Sequence, residues 1–366
     1  MKGQWIGRIK GDIQGQIIIN IDDLGKNYGG VAFVLPDKKE LPALAAFFQT
    51  QDKKVENNLN APTMPIDPRT GLTCLWKDIQ NLYPDITPFS EVAVNIHFEG
   101  NELHLKAKTD LVTNAESNII RKPFTTSSDI RGDIKSWEQY KIFVSTLSGQ
   151  KNLFRGQRKP WKLRTAFHRK GRYDLTRFLS VDIPRLHRHL SGRTSHVFNL
   201  EIPNENGAFL NLVQHHGYPT PLLDWTYSPY VAAFFAFRKV PKNEKSENFV
   251  RIYIFDHEKW RSHWTQLVML NTAGLHLSIM EFLAIENERL IPQQAVTTVT
   301  NIDDIESYIK EKETQKNCSY LTAIDIPVLE RNKVMQELSF MGITAGSMFP
   351  GLDGACEELR EKMFDE

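Results

Sequence analysis

Gln214-His215-His216-Gly217-Tyr218-Pro219-Thr220-Pro221-Leu222-Leu223-Asp224-Trp225-Thr226-Tyr227-Ser228-Pro229, followed by Ala232-Ala233-Phe234-Phe235-Ala236, is the stretch that decides the fold. Phe209, Leu212 and Val213 recur at helical spacing before it, and Gly217 stops that helix. Pro219 and Pro221 hold the backbone extended. Leu222 to Thr226 then reads as a buried strand. Ser228 supplies an N-cap and Pro229 a first helical residue with its φ already set. The helix Tyr230 to Lys239 is apolar on most sides, so it belongs in a core. Helix, strand and helix within thirty residues predict a mixed domain built on a sheet.

Working upstream, residues 151 to 193 carry thirteen Lys and Arg against two Asp, a local charge of +11. The whole chain is +1, so the remainder carries −10. Leu175, Leu179, Ile183, Leu186 and Leu190 give this block an apolar helical face, so it is folded and not a tail. Two readings stand: a site for a phosphate-bearing ligand or polyanion, or a basic surface balanced by acidic neighbours. Further upstream, Ser136-Trp137-Glu138-Gln139 has the form of a capping box, with Tyr140, Phe143, Val144 and Leu147 continuing at helical spacing. Residues 113–135 are polar with little periodicity and read as a linker. Residues 1–112 read as β: Val92, Val94, Ile96 and Phe98 share one face, Gly100-Asn101 turns, and Leu103, Leu105 and Ala107 return. Asp52 to Gly71, rich in Asn and Pro, reads as a long loop. Downstream, Phe249 to Phe255 and Leu290 to Val299 are strand candidates, and Val328 to Phe340 a helix ending near Gly342. The expected organisation is an α+β chain: an N-terminal antiparallel β sandwich or barrel (1–112), a linker (113–135) and a second domain (136–366).

With 366 residues, 41% hydrophobic and 24% charged, the chain has an ordinary globular composition and room for two cores. No apolar run reaches membrane-spanning length, and Met1-Lys2-Gly3-Gln4-Trp5 opens no apolar h-region, so secretion by a signal peptide is not expected. Three dispersed cysteines suit reduced thiols better than a disulfide framework, and the expected location is the cytoplasm. His187-x-His189 does not share a helical face, so no metal is expected. Gly-x-Ser-x-Gly is absent, which removes an α/β-hydrolase triad.

Three segments together resemble the FRG domain family: Phe154-Arg155-Gly156-Gln157, the stretch quoted above, and Gly342-Ile343 with Phe349-Pro350-Gly351-Leu352-Asp353-Gly354. The resemblance covers roughly residues 136 to 360. Pro221 departs from it, standing where the family usually has Arg. So do Ala295 and Thr297, after Gln293, where Gly and Phe are common. A second similarity is to ADP-ribosyltransferases, which order an Arg on an early strand, a Ser/Thr motif before a helix, and Glu-x-Glu near a late strand of a split β core. Arg155, Thr226-Tyr227-Ser228 with the Ala-Phe-rich helix, and Glu286-Asn287-Glu288 follow that order.

These similarities imply NAD as substrate, with ADP-ribose transfer or NAD hydrolysis as the reaction. The residues suit it chemically. An arginine fork binds phosphate, a helix start favours anions, and a carboxylate stabilises positive charge at an anomeric carbon. Arg155, Glu288, Ser228 and His216 are the catalytic candidates; Arg155, Gln157, Thr226, Trp225, Asp224 and Gln293 are those for holding the nucleotide. Several alternatives stay open. Asp224 reads equally as a structural carboxylate, Trp225 as core or as a stacking platform, and Thr226 and Ser228 as cap residues. Either Glu286 or Glu288, not both, enters a site if that segment is extended. The family resemblance further implies a bacterial defence or toxin effector with a macromolecular acceptor and a trigger or protein partner at the β domain. The competing classes are a non-catalytic nucleic-acid-binding module using residues 151–193 and a scaffold. No membrane role is expected.

Overall fold

The computed structural model describes residues 1–110, 113–147, 150–241 and 247–364. The first part is a closed antiparallel barrel of eight strands in sequence order. They are β1 (Gly3–Gly11), β2 (Gly15–Asp23), β3 (Tyr28–Pro36), β4 (Leu44–Gln49), β5 (Glu56–Pro65), β6 (Glu91–Glu99), β7 (Glu102–Thr109) and β8 (Asn114–Ile120). Alternation sends Trp5, Ile19, Ile21, Ile96, Leu103 and Ile119 inward to one core. Between β6 and β7 the chain reverses at Gly100, whose φ of +59° favours glycine.

Two expectations are corrected. Residues 56–65 form a strand inside what reads as a loop. Its prolines are tolerated because β5 changes partner there, pairing β6 over Glu56–Pro62 and β4 over Thr63–Pro65. The barrel also runs past residue 112. β8 pairs β7 along its length and closes on β1 at Lys10–Glu116 and Gly11–Ala115. Its inward positions are Ala115, Ser117 and Ile119. Gly7 of β1 leaves room for the Ile119 side chain, which a Cβ at Gly7 would meet at 2.7 Å, and the Ser117 hydroxyl donates to Arg8 O at 2.8 Å.

The second part is a seven-stranded sheet of β9 (Asp133–Ile134), β10 (Asn152–Gln157), β11 (Leu222–Thr226), β12 (Phe249–Asp256), β13 (Leu277–Met280), β14 (Ala295–Thr300) and β15 (Leu321–Pro327). Their spatial order is β13-β14-β11-β10-β12-β15-β9. Every neighbouring pair is antiparallel except β15–β9. One face packs Phe154, Ile252, Ile254, Ile324 and Ile326 against the helices Trp137–Ser145, Pro229–Phe237 and Arg331–Phe340. The other packs Leu153, Trp225, Tyr253 and Phe255 against Trp260, Ile305 and Ile309. The capping box forms as expected: Gln139 N donates to Ser136 Oγ at 3.2 Å, and Ser136 N to Gln139 Oε1 at 2.9 Å. Among the described residues no helix is long and apolar enough to cross a membrane.

The two parts are joined by buried polar contacts. The fully buried Asp22 of β2 accepts from Arg172 Nε at 2.5 Å and from the Tyr173 amide at 2.6 Å. Gln4 Nε2 donates to Asn301 O at 2.7 Å. Asp174 lies at this joint and caps the next helical turn through Arg177 N at 3.0 Å. Burial, with nearby Asp22 adding to it, pushes its carboxyl up to about 6. A carboxyl raised in the folded state contributes its stability at low pH and loses it as pH rises through that value. Asp174→Asn keeps the cap acceptor without the buried charge. It is expected to raise stability at pH 8 by up to about 3 kcal/mol, the gap closing below pH 4. Urea midpoints at the two pH values check this.

Candidate functional site

The sheet divides between its two central strands. β10 follows β12 through six residue pairs, and β11 follows β14 through five. β10 and β11 meet at one pair, Phe154 with Thr226, and then diverge. A wedge therefore opens between Arg155–Gln157 and Leu222–Trp225. Arg155 reaches across it, its Nη1 donating to the Asp224 carbonyl at 2.5 Å. Its Nε is closed off from solvent and has no hydrogen-bond partner. Among the described residues no carboxylate pairs with this guanidinium. Burial lowers its proton affinity to about 10, offset in part by the charge of Asp224 and reinforced by Arg169. Arg155 thus keeps one enclosed donor, Nε, that no group of the protein satisfies.

The walls of the wedge come from the three motif segments. Gly156 brings β10 against the helix Pro229–Phe237: a Cβ there would lie 1.8 Å from Ala232 O. Ser228 Oγ accepts from Val231 N at 3.2 Å, capping that helix. Phe349 packs on Phe234 and Phe235, with Arg238 stacked over it at 4.1 Å. Residues 286–294 tie these pieces together. Gln293 O accepts from Thr226 Oγ1 at 2.8 Å, and Gln293 Nε2 donates to Met348 O at 2.8 Å. Asn287 Nδ2 donates to Asn211 Oδ1 at 2.6 Å, and Asn287 Oδ1 lies 2.8 Å from His215 Nδ1. Arg289 donates to His215 O at 3.1 Å.

The candidates divide accordingly. Arg155 is in the wedge. Asp224 lines it through its carbonyl, while its carboxylate accepts from Gln214 Nε2 at 2.5 Å. Gln157 is half-buried at the end of β10. Of its two readings, Trp225 takes the core one: it is 3% exposed, packs on Phe255 and donates its indole N–H to Thr298 Oγ1 at 3.0 Å. Thr226 and Ser228 spend their hydroxyls on backbone partners, since Thr226 Oγ1 also accepts from Ser228 N at 3.0 Å. Gln293 is buried and holds the end of the short helix Ala345–Met348. Glu288 is exposed on a turn and not in a strand, because β14 begins at Ala295. Glu286 accepts from the His196 amide at 2.5 Å, away from the wedge residues. His216 is exposed at the end of the helix Pro203–His215. The polar residues that sequence reasoning passed over are Gln214, Asn211 and Asn287. Asn287 is the spacer of Glu-x-Glu, and it is the member of that triplet that is buried.

The family profile of the FRG domain matches residues 150–245, about a quarter of the chain. The chain thus carries an FRG domain in its C-terminal part, and the match holds Arg155, Gly156 and both strands β10 and β11. No curated protein and no solved structure matches the chain.

Proposed function

We propose that the FRG domain binds NAD in the wedge between β10 and β11 and acts as an ADP-ribosyltransferase or NAD hydrolase. The observation that carries this reading is Arg155, a half-buried arginine with an enclosed and unpartnered Nε at the mouth of a divided sheet. Its planar fork suits a pyrophosphate, which supplies the missing charge and acceptors together. The division of the sheet is in keeping with the split core of ADP-ribosyltransferases. Glu288, exposed beside the buried Asn287, is the free carboxylate of the Glu-x-Glu segment and the candidate for stabilising the oxocarbenium-like ribose. His216 is the candidate base for a water or acceptor. Trp225, Thr226, Ser228 and Gln293 set the walls in place. In this reading the barrel receives a trigger or protein partner, the reaction modifies a macromolecular acceptor, and the chain serves as a cytoplasmic defence or toxin effector.

The test is calorimetric titration of the purified chain with NAD, followed by assay of nicotinamide release. Saturable binding that ADP-ribose competes away is expected. An absence of binding by NAD, ADP-ribose and ADP alike removes the reading.

A further inference from the structure

The basic block does not act as one surface. Three of its members are consumed by the fold: Lys162 pairs with Asp129 and Asp304, Arg164 with Asp303, and Arg172 with Asp22 and Asp182. What is left over is ordered. The helical turns Leu175–Arg177, Phe178–Asp182 and Ile183–Leu190 run on without a break as one rod. Leu175, Phe178 and Ile183 fix it to a core that includes Phe167 and Phe209. On the opposite side Arg177, Arg185, Arg188 and His189 are exposed, at successive spacings of eight, three and one residue, and exposed Arg193 follows the helix end. Among the described residues none of these four arginines has an ion pair. The rod's two carboxylates are both engaged elsewhere, Asp174 as a buried cap and Asp182 with Arg172.

We infer that this stripe is a docking surface for the phosphate backbone of a nucleic-acid duplex, separate from the wedge and independent of the nucleotide reading. From Arg177 to Leu190 the rod spans about 20 Å, and a duplex offers about one phosphate per 1.7 Å of its axis. The charges are arginines, whose forks grip phosphate oxygens in pairs. A membrane is disfavoured, because the single large apolar side chain exposed on this face is Val181, too little to insert between headgroups.

Fluorescence anisotropy with labelled 20-base-pair DNA and RNA duplexes, from 50 to 250 mM salt, tests the inference. Binding is expected to weaken steeply with salt. In R185Q/R188Q/R193Q the log–log salt slope should fall by about three and the affinity by at least tenfold. The corresponding Lys variant should keep most of both. These side chains are exposed, so melting temperatures should be unchanged. Three results overturn the inference: no duplex bound by the wild type at 50 mM salt, a Gln variant with the wild-type slope, or phosphatidylserine vesicles bound as tightly as either duplex.

Discussion

Arg155→Met is expected to abolish nucleotide binding while leaving the fold intact. The reason is the imbalance at this position. The arginine is half-buried, gains one hydrogen bond to the Asp224 carbonyl, and leaves its enclosed Nε without a partner. Desolvating a cation costs several kcal/mol unless hydrogen bonds and an opposite charge offset it. Methionine fills the volume of the arginine stem without that cost, though it strands the Asp224 carbonyl at about 1–3 kcal/mol. The two effects oppose, so stability should change by no more than about 1–2 kcal/mol in either direction. Binding should fall at least a hundredfold, about 3 kcal/mol, because the phosphates lose their counter-charge. Arg155→Lys keeps the charge but not the fork, and should recover part of the affinity. Thermal melts with NAD titrations of both variants decide the matter. Wild-type affinity in Arg155→Met places the ligand elsewhere. Unfolding of Arg155→Met makes the arginine a structural strut between β10 and β11.

What was legible in the sequence was whatever closes within a few residues. The Ser136–Gln139 box, the Ser228 cap and the helix stop at Gly217, with φ of +87°, are satisfied by their own neighbours, so spacing alone reveals them. The strand Leu222–Thr226 was equally plain because both of its sides meet covering layers. That same burial hid the role of Trp225. A strand apolar on both faces gives no alternation to say which side chain enters a cleft, and only the packing of Trp225 on Phe255 settles it. β5 and β8 were missed because their inward positions include Asn57, Ala115 and Ser117, small or polar residues whose partners are set by the barrel. Leu290 and Ile291 looked like the start of a strand, yet Ile291 is 75% exposed on a turn. The joint at Asp22 and Arg172 has no local signal, since its members are 150 residues apart.

The Phe-Arg-Gly motif thus joins three different physical demands, and its glycine carries the second large prediction. Phe154 is core, Arg155 is the candidate ligand-binding group, and Gly156 is the point of closest approach between β10 and the helix Pro229–Phe237. A Cβ at Gly156 would lie 1.8 Å from Ala232 O and 2.8 Å from Ala236 N. Both are backbone atoms, so no rotamer change relieves the clash. The helix cannot retreat, because Ala232, Ala233 and Ala236 are fully buried. The strand cannot either, because β12 pairs it from Asn152 to Gln157. Gly156→Ala should therefore cost at least about 3 kcal/mol, the upper range of overpacking, and lower the melting temperature by roughly 6–12 °C. Gly217→Ala is the matched control. Its φ of +87° is unfavourable for alanine, but nothing lies within 4 Å of the added methyl, so about 1 kcal/mol is expected. Equal urea midpoints for the two variants would show that backbone conformation and not close approach is what the motif glycine provides. A much lower midpoint for Gly156→Ala places that glycine in the packing of the wedge wall. Any loss of nucleotide binding in that variant then follows from a displaced β10, whereas the loss in Arg155→Met occurs in a wedge that keeps its shape.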